Sequence, residues 1–468
     1  MSCFERLPLE IIDLICSFLS VRDIINFLFL TSKTLSNAVY GLKPTCYHIS
    51  QVGERSYKLG NKIFFRSIFI DEDFMQLEKF LKTQKRCFEN VIIACSSDKQ
   101  KVIEKLQEKE ISSLILCGIN SYDNILFLNN LKVKSIDILI DFDHKLTQIV
   151  FLFPYCEKLK YVILKCLSPC PTFKLQEFVF QNLNTDVLIF SQMFINNSIS
   201  EQILNNEVSK IFFSNCYFSD PFIMPYNKGL EAIIIDDFED LRFNIPVRTV
   251  FIFSSVNMKS FTCRTTNLYT GLLFLKSSFV EKILVFQRWK VNIFSSEGLS
   301  VKIMELGCYN SIEDTENIFD LKKVKACYLN IFQDRNIKRT FLMLEDCEIE
   351  ILYIFLSNHN FCEIVFEGPS VVKNVLIFVS ESVEVLISGD KQQRIEKITV
   401  SFQKRSNMKS VTFENINKAD IEVLTGDSID SQGVRETGTR EILFVKFISC
   451  KEIKDTKYNN SEVFEIYE

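Results

Sequence analysis

From about residue 111 one spacing of apolar positions recurs: an apolar residue, two others, an apolar residue, one other, an apolar residue. It is found as Ile111-Leu114-Leu116, Val133-Ile136-Ile138, Leu159-Val162-Leu164, Val208-Ile211-Phe213, Leu230-Ile233-Ile235 and Val247-Val250-Ile252. Successive starts are 22, 26, 49, 22 and 17 residues apart, and the strand-like run Val187–Phe190 fills the longest interval. Less regular copies follow at Leu268-Gly271-Leu273, Val280-Ile283-Val285, Val324-Cys327-Leu329, Phe361-Ile364-Phe366, Val372-Val375-Ile377, Ile395-Ile398-Val400 and Met408-Val411-Phe413. The last two apolar positions of a copy are two residues apart, so they share one face of a strand. The first sits on the turn into the strand and also points inward. One such strand cannot bury its face alone; copies stacked at a fixed period build a parallel sheet over a continuous core.

Between the early copies, Asn124–Leu131, Leu146–Phe153 and Leu175–Leu183 have a helix-like pattern and are expected to form an outer layer. The arrangement resembles leucine-rich repeats, whose period is roughly 20–29 residues. That family carries an Asn or Cys eight residues after the first apolar position, and here Cys216 after Val208 is the clearest counterpart. Past about residue 260 the intervening segments shorten. A continuing solenoid and a separate β-rich domain starting near 260 both fit, and one continuous solenoid over 111–468 is the reading adopted. Asp427–Arg440 reads as a loop, and Glu441–Ser449 as a last strand before a polar tail. Residues 46–110 read as a helical connector and solenoid cap, with helices expected at Asp73–Thr83 and Lys99–Lys109 from apolar residues at three-and-four spacing.

The first 45 residues follow a different period. Pro8 stands at an early helical position, where its missing N–H costs nothing, and Glu10 and Asp13 suit the positive end of a helix. Ile11, Ile12, Leu14, Ile15, Phe18 and Leu19 then cover more than half of the helix circumference. Asp23 or Ser20 can cap a second helix bearing Ile24, Ile25, Phe27, Leu28 and Leu30, and a third runs through Leu35, Ala38, Val39 and Leu42 to Pro44. Three helices this short cannot bury so much apolar surface among themselves. It packs either on the rest of the chain or on a partner.

In order and spacing, Leu7, Pro8, Glu10, Ile11, Ile15, Leu19, Asp23 and the pair Ser32-Lys33 resemble the F-box, with Tyr40 the candidate for the aromatic residue that family often carries in its third helix. The resemblance covers about residues 4–44. It implies a three-helix module that docks a Skp-type adaptor, itself linked to a cullin and a RING subunit, with Leu7, Pro8, Ile11, Ile15 and Leu19 as interface anchors. The implied fold is α/β, a three-helix F-box followed by a leucine-rich-repeat-like solenoid with a parallel sheet. The implied function is substrate recognition in an SCF-type ubiquitin ligase. The alternative is a non-catalytic F-box and repeat scaffold acting outside a cullin complex.

Composition narrows the rest. Of 468 residues 47 % are apolar and 24 % charged, the ordinary balance of a folded protein, while Gly at 13 and Pro at 9 leave little for disordered linkers or a Gly-rich phosphate loop. The net charge of −5 is spread along the chain, without the basic stripe of a nucleic-acid surface. Glu5, Arg6, Glu10 and Asp13 interrupt any leader-like stretch, and apolar runs such as Ile149–Phe153 are too short for a bilayer. A cytoplasmic or nuclear protein with reduced thiols is expected. Cys166 and Cys170 have no second pair at zinc spacing and read as small buried hydrophobes. His48, His144 and His359 form no triad or ligand set; Asp141, Asp143 and His144 read as a solvated turn, and Asp236-Asp237 with Glu239-Asp240 as a solvated face. Trp289 between Arg288 and Lys290 reads as an outer-turn residue, and Lys82 with Lys85 and Arg86 as an ordinary basic cluster at a helix end. No nucleophile, base, metal or cofactor set emerges.

Overall fold

The computed structural model describes residues 46–49, 67–70, 88–93 and, from 98 to 467, the elements named below with many of their connecting turns. Residues 1–45, and with them the expected F-box helices, lie outside the described residues, as do Asp73–Thr83 and Asp427–Arg440. The chain divides into two compact units. One reaches to Met193 and includes Asn205–Val208; the other comprises Phe194–Leu204 and Ser209–Glu468.

In the first unit β1 (Cys46–Ile49), β2 (Ser67–Ile70) and β3 (Phe88–Ile93) precede helix α1 (Lys99–Leu106). There follow β4 (Glu110–Ile119), β5 (Ile125–Phe127), β6 (Lys132–Ile140), β7 (Gln148–Leu152), β8 (Leu159–Cys166), β9 (Glu177–Gln181) and β10 (Asn184–Ser191). Strands β1, β2, β3, β4, β6, β8 and β10 pair in that order as one parallel ladder, which thus starts well before residue 111. Strands β5, β7 and β9 form a second. The parallel solenoid expected from the spacing is present, but its outer layer is a correction. The three segments expected as helices contain β5, β7 and β9. Leu126 and Leu128 are buried while Ile125 and Phe127 are 47 % and 44 % exposed, and Phe151 and Phe153 are buried on either side of half-buried Leu152. That is period two, which a short apolar run conceals. Helix α1 falls where expected: the Asp98 carboxylate accepts from the Lys101 N–H at 3.2 Å as its N-cap, and Val102, Ile103 and Leu106 are buried.

The second unit begins with β11 (Phe194–Ile195), helix α2 (Asn197–Leu204), β12 (Glu207–Ser214), β13 (Tyr217–Phe218), β14 (Phe222–Ile223) and β15 (Ala232–Asp237). Next come β16 (Val247–Phe253), β17 (Asn257–Thr265), β18 (Leu268–Phe274), β19 (Ser278–Gln287) and two long strands, β20 (Lys290–Cys308) and β21 (Glu316–Gln333). The remainder are β22 (Arg339–Glu345), β23 (Glu348–Leu356), β24 (Phe361–Glu367), β25 (Val371–Val379), β26 (Glu384–Gly389), β27 (Arg394–Phe402), β28 (Met408–Glu414), β29 (Asp420–Thr425), β30 (Ile442–Ile448), β31 (Thr456–Asn459) and β32 (Glu462–Tyr467). Strands β31 and β32 replace the expected polar tail, so Ile442–Ile448 is not the last strand.

Two parallel ladders interleave here. One runs β12, β15, β17, β19, the C-terminal parts of β20 and β21, then β23, β25, β27, β29 and β31. The other runs β14, β16, β18, the N-terminal parts of β20 and β21, then β22, β24, β26, β28, β30 and β32. Lys325 faces Glu348 across one turn, an advance of 23 residues. Pairing passes residue 260 without a break, since Ser260 lies between Ala232 and Lys282. The later copies look irregular in sequence because they alternate between two sheets.

The core is a set of stacked columns. Ile283, Met304, Leu329, Leu352, Val375 and Ile398 are each in register with the next, and all are fully buried. The first apolar position of a copy is buried too, as in Val280, Val301, Ala326, Ile349 and Val372. Two copies are displaced by one residue: Phe251 and Phe253, and Leu272 and Phe274, point inward where Val250 and Ile252, and Gly271 and Leu273, were expected. In a third, Val324 and Leu329 are buried as expected, but Cys327 is half-buried and Ile331 turns inward instead. A run that is apolar on both faces does not declare its register.

Corners are closed by residues of two kinds. Lys323, Asp346, Asn415 and Ser449 hold positive φ, as does Gly368, so the chain turns in a single left-handed step. Beside them a small polar side chain ties neighbouring turns. The Cys347 N–H donates to Ser370 Oγ at 3.1 Å, and Ser370 Oγ reaches Glu367 O at 2.7 Å. Gln393 Nε2 donates to Asn415 O at 3.0 Å, and Cys450 Sγ to Phe413 O at 3.3 Å. In the first unit Asn206 accepts from the Leu183 N–H at 2.8 Å and donates to Phe180 O at 3.0 Å. Cys216 is buried, with its thiol 3.4 Å from Ser214 O. Ser, Cys, Asn and Gln all serve, which is why no single-letter ladder is visible in the sequence.

Candidate interaction face

The inward columns leave the third, fifth and seventh residues of each copy facing out. On the first ladder of the second unit these are Ile303, Tyr328, Ile351 and Asn374; Glu305, Asn330, Tyr353 and Leu376; and Gly307, Phe332, Phe355 and Phe378. Most are apolar where a solvated sheet face alternates to polar. Tyr328 is 47 % and Phe332 39 % exposed, and the rings of Tyr353 and Phe378 stack at 4.9 Å. Gly307 is required here, because a Cβ at that position would overlap the Phe286 ring that lies over it. The patch is bounded. It continues onto β19 through Leu284 and Phe286, beyond which Ser260, Thr262 and Arg264 face out on β17, and Lys397, Thr399 and Ser401 face out on the turn after it. A contiguous apolar face with a polar rim is the surface signature of an interaction site.

Alongside it, at the starts of the same strands, a groove of about 700 Å³ crosses the turns from Phe279 on β19 to Val371 and Lys373 on β25. Phe279, Cys327 and Val371 supply its exposed apolar surface above the core residues Val301, Ala326 and Ile349, and Lys302, Lys325, Glu348, Glu350 and Lys373 form its edges. The charges pair across turns: Lys325 with Glu348 at 2.8 Å, Lys373 with Glu350 at 3.0 Å and Lys302 with Glu281 at 3.3 Å. Each pair is well exposed, so each adds little to stability.

Of the residues singled out from the sequence, Leu7, Pro8, Ile11, Ile15 and Leu19 lie outside the described residues, as do His144, His359, Trp289, Cys170 and the Lys82–Arg86 cluster. His48 lies on β1. Cys166 is buried. Asp236 lies one residue before the end of β15, beside Arg264, and burial raises the pKa of its carboxyl above the usual range, with Arg264 acting against the shift. Among the described residues no group of three or more His, Cys, Asp and Glu is placed to hold a metal ion, and no helix is long and apolar enough to cross a membrane. The interaction face itself was missed. Its signal was available: Ile303, Tyr328 and Ile351 occupy alternate positions that a solvated strand gives to Lys, Glu or Thr.

Buried thiols give a pH signature. Burial pushes Cys362 and Cys347 up to about 12, with Glu363 adding to the first and Asp346 and Glu345 to the second. The folded values lie above the unfolded ones, so the folded state favours the neutral thiols. Their contribution is intact below about pH 9 and is lost as pH climbs toward 12. We expect the urea midpoint to fall steeply between pH 9 and 11, and the fall to be shallower in Cys362→Ala. An equal slope in the variant would show that the loss has another origin. Compared with known proteins, the chain matches no family model, no curated protein and no solved structure.

Proposed function

We propose that the chain is the substrate-recognition subunit of an SCF-type ubiquitin ligase, performing no chemistry itself. Its N-terminal helices bind a Skp-type adaptor and, through it, a cullin–RING assembly, while the outward face of the second unit holds a protein substrate. The observation that carries this reading is the order and spacing of Leu7, Pro8, Glu10, Ile11, Ile15, Leu19, Asp23 and Ser32-Lys33. The bounded apolar face supports it, because a receptor needs a second surface on a rigid frame. Leu7, Pro8, Ile11, Ile15 and Leu19 are its adaptor anchors, each a buried apolar contact of the kind that dominates interface energy.

Affinity capture of the full chain tests the proposal. Adaptor and cullin are expected together. Leu7→Ala with Pro8→Ala should weaken adaptor capture by about 2–4 kcal/mol and leave the unfolding of the solenoid unchanged. Recovery of neither protein overturns the reading. Adaptor without cullin favours a scaffold acting outside a cullin complex, and loss of folding in the double variant makes the N-terminal helices part of the solenoid.

A further inference from the structure

We infer that the groove between Phe279 and Lys373 receives an amphipathic α-helix of a protein partner, lying along the stack of turns with an acidic, acidic, basic, acidic order of charges on one flank. This rests on the reading of the outward face as a partner surface.

The backbone of the floor excludes an extended occupant. Val301 is in register with both Val280 and Ala326, Ala326 with Ile349, and Ile349 with Val372, so the floor strands are paired on both sides. An extended segment laid on this face would find only side chains, and its own N–H and C=O groups would be left unpaired against an apolar floor. A helix satisfies its backbone internally and presents only side chains. The groove crosses five successive turns, β19 to β25; at about 4.8 Å per turn this is about 19 Å, or roughly 13 helical residues.

Charge order specifies the flank. Lys302 lies on β20, Lys325 on β21, Glu348 and Glu350 on β23 and Lys373 on β25. Their mutual pairs are exposed and weak, so a partner can redirect them. One turn of the solenoid corresponds to about three residues of helix. The complementary helix therefore carries acids about three or four residues apart, then a base, then an acid, beside a stripe of large apolar side chains that meets Phe279, Cys327 and Val371.

Fluorescence anisotropy of the full chain at low salt, with three labelled synthetic peptides of about 15 residues, tests this. The first has the apolar stripe and the acidic, acidic, basic, acidic flank. The second has every flank charge inverted, and the third is the first with a central proline. Saturable binding of the first is expected, with the second and third each weaker by about tenfold or more, and Lys325→Glu should narrow or reverse the preference between the first two. Failure of the first peptide to bind, equal binding of the inverted peptide, or equal binding of the proline peptide overturns the inference. Adaptor and cullin capture reports on the ligase proposal separately, since Leu7 and Pro8 do not line the groove. Peptide binding without adaptor capture leaves this inference standing and removes that proposal, and the converse removes only this one.

Discussion

Leu352→Asp abolishes cooperative unfolding of the second unit, whereas Ile351→Asp, one residue earlier, leaves the urea midpoint close to that of the parent chain. The two side chains leave opposite faces of β23. Leu352 is fully buried in a column between Leu329 and Val375, and Ile351 lies between Tyr328 and Asn374 on the outside. A carboxylate at 352 has no cation within the core columns and cannot reach water; an unpaired buried charge costs at least about 4 kcal/mol. At 351 the cost is that of a poor strand former on a surface, about 1 kcal/mol or less. Because each turn contacts its neighbours, failure at β23 removes support from β21 and β25 together. Circular dichroism in urea on both variants checks the pair, and similar destabilisation of the two would show that the register is wrong.

Phe253→Ala is the second large effect. Phe253 is buried, stacks on Phe274 with ring centroids 4.5 Å apart and 9° between planes, and meets Phe261 edge-on at 5.4 Å and 87°. These rings come from β16, β18 and β17, so one side chain joins both sheets. Truncation removes its burial and leaves a cavity that the paired strands cannot collapse around, at about 4 kcal/mol. Neighbouring Ile252 is only half-buried, and its replacement with Ala should cost about 1 kcal/mol. A double-mutant cycle of Phe253→Ala with Phe274→Ala should show about 1 kcal/mol of coupling. Denaturant unfolding of the variants measures all of this. A smaller loss at Phe253 than at Ile252 would restore the inward Val250 and Ile252 of the sequence reading.

The repeat was legible where two polar residues separate its first two apolar positions. Glu281-Lys282 in Val280-Ile283-Val285, Lys373-Asn374 in Val372-Val375-Ile377 and Glu396-Lys397 in Ile395-Ile398-Val400 mark the start of the strand, and the apolar positions are the buried ones. It was illegible where an unbroken apolar run leaves that start unmarked. Val250 and Phe251, or Leu272 and Leu273, offer equal hydrophobicity to either side, and only pairing across the turn selects one. The outer helices failed for a related reason. Five residues such as those of β7 are too few to separate a period of two from one of 3.6, and the choice is made by an adjacent strand that takes up the backbone groups.

The sequence by itself determined that apolar residues recur at a fixed spacing, that parallel stacking is the way to bury them, that α1 forms, and that the N-terminal residues follow the F-box order on which the functional proposal rests. Tertiary structure alone decided that two ladders share the repeat, which residue of each apolar run turns inward, and that Tyr328, Phe332, Ile351 and Tyr353 meet on one outward face. Spacing along a chain specifies what must be buried. Which residues become neighbours across 23 positions depends on strand pairing, and that is settled only when each turn is laid on the one before it.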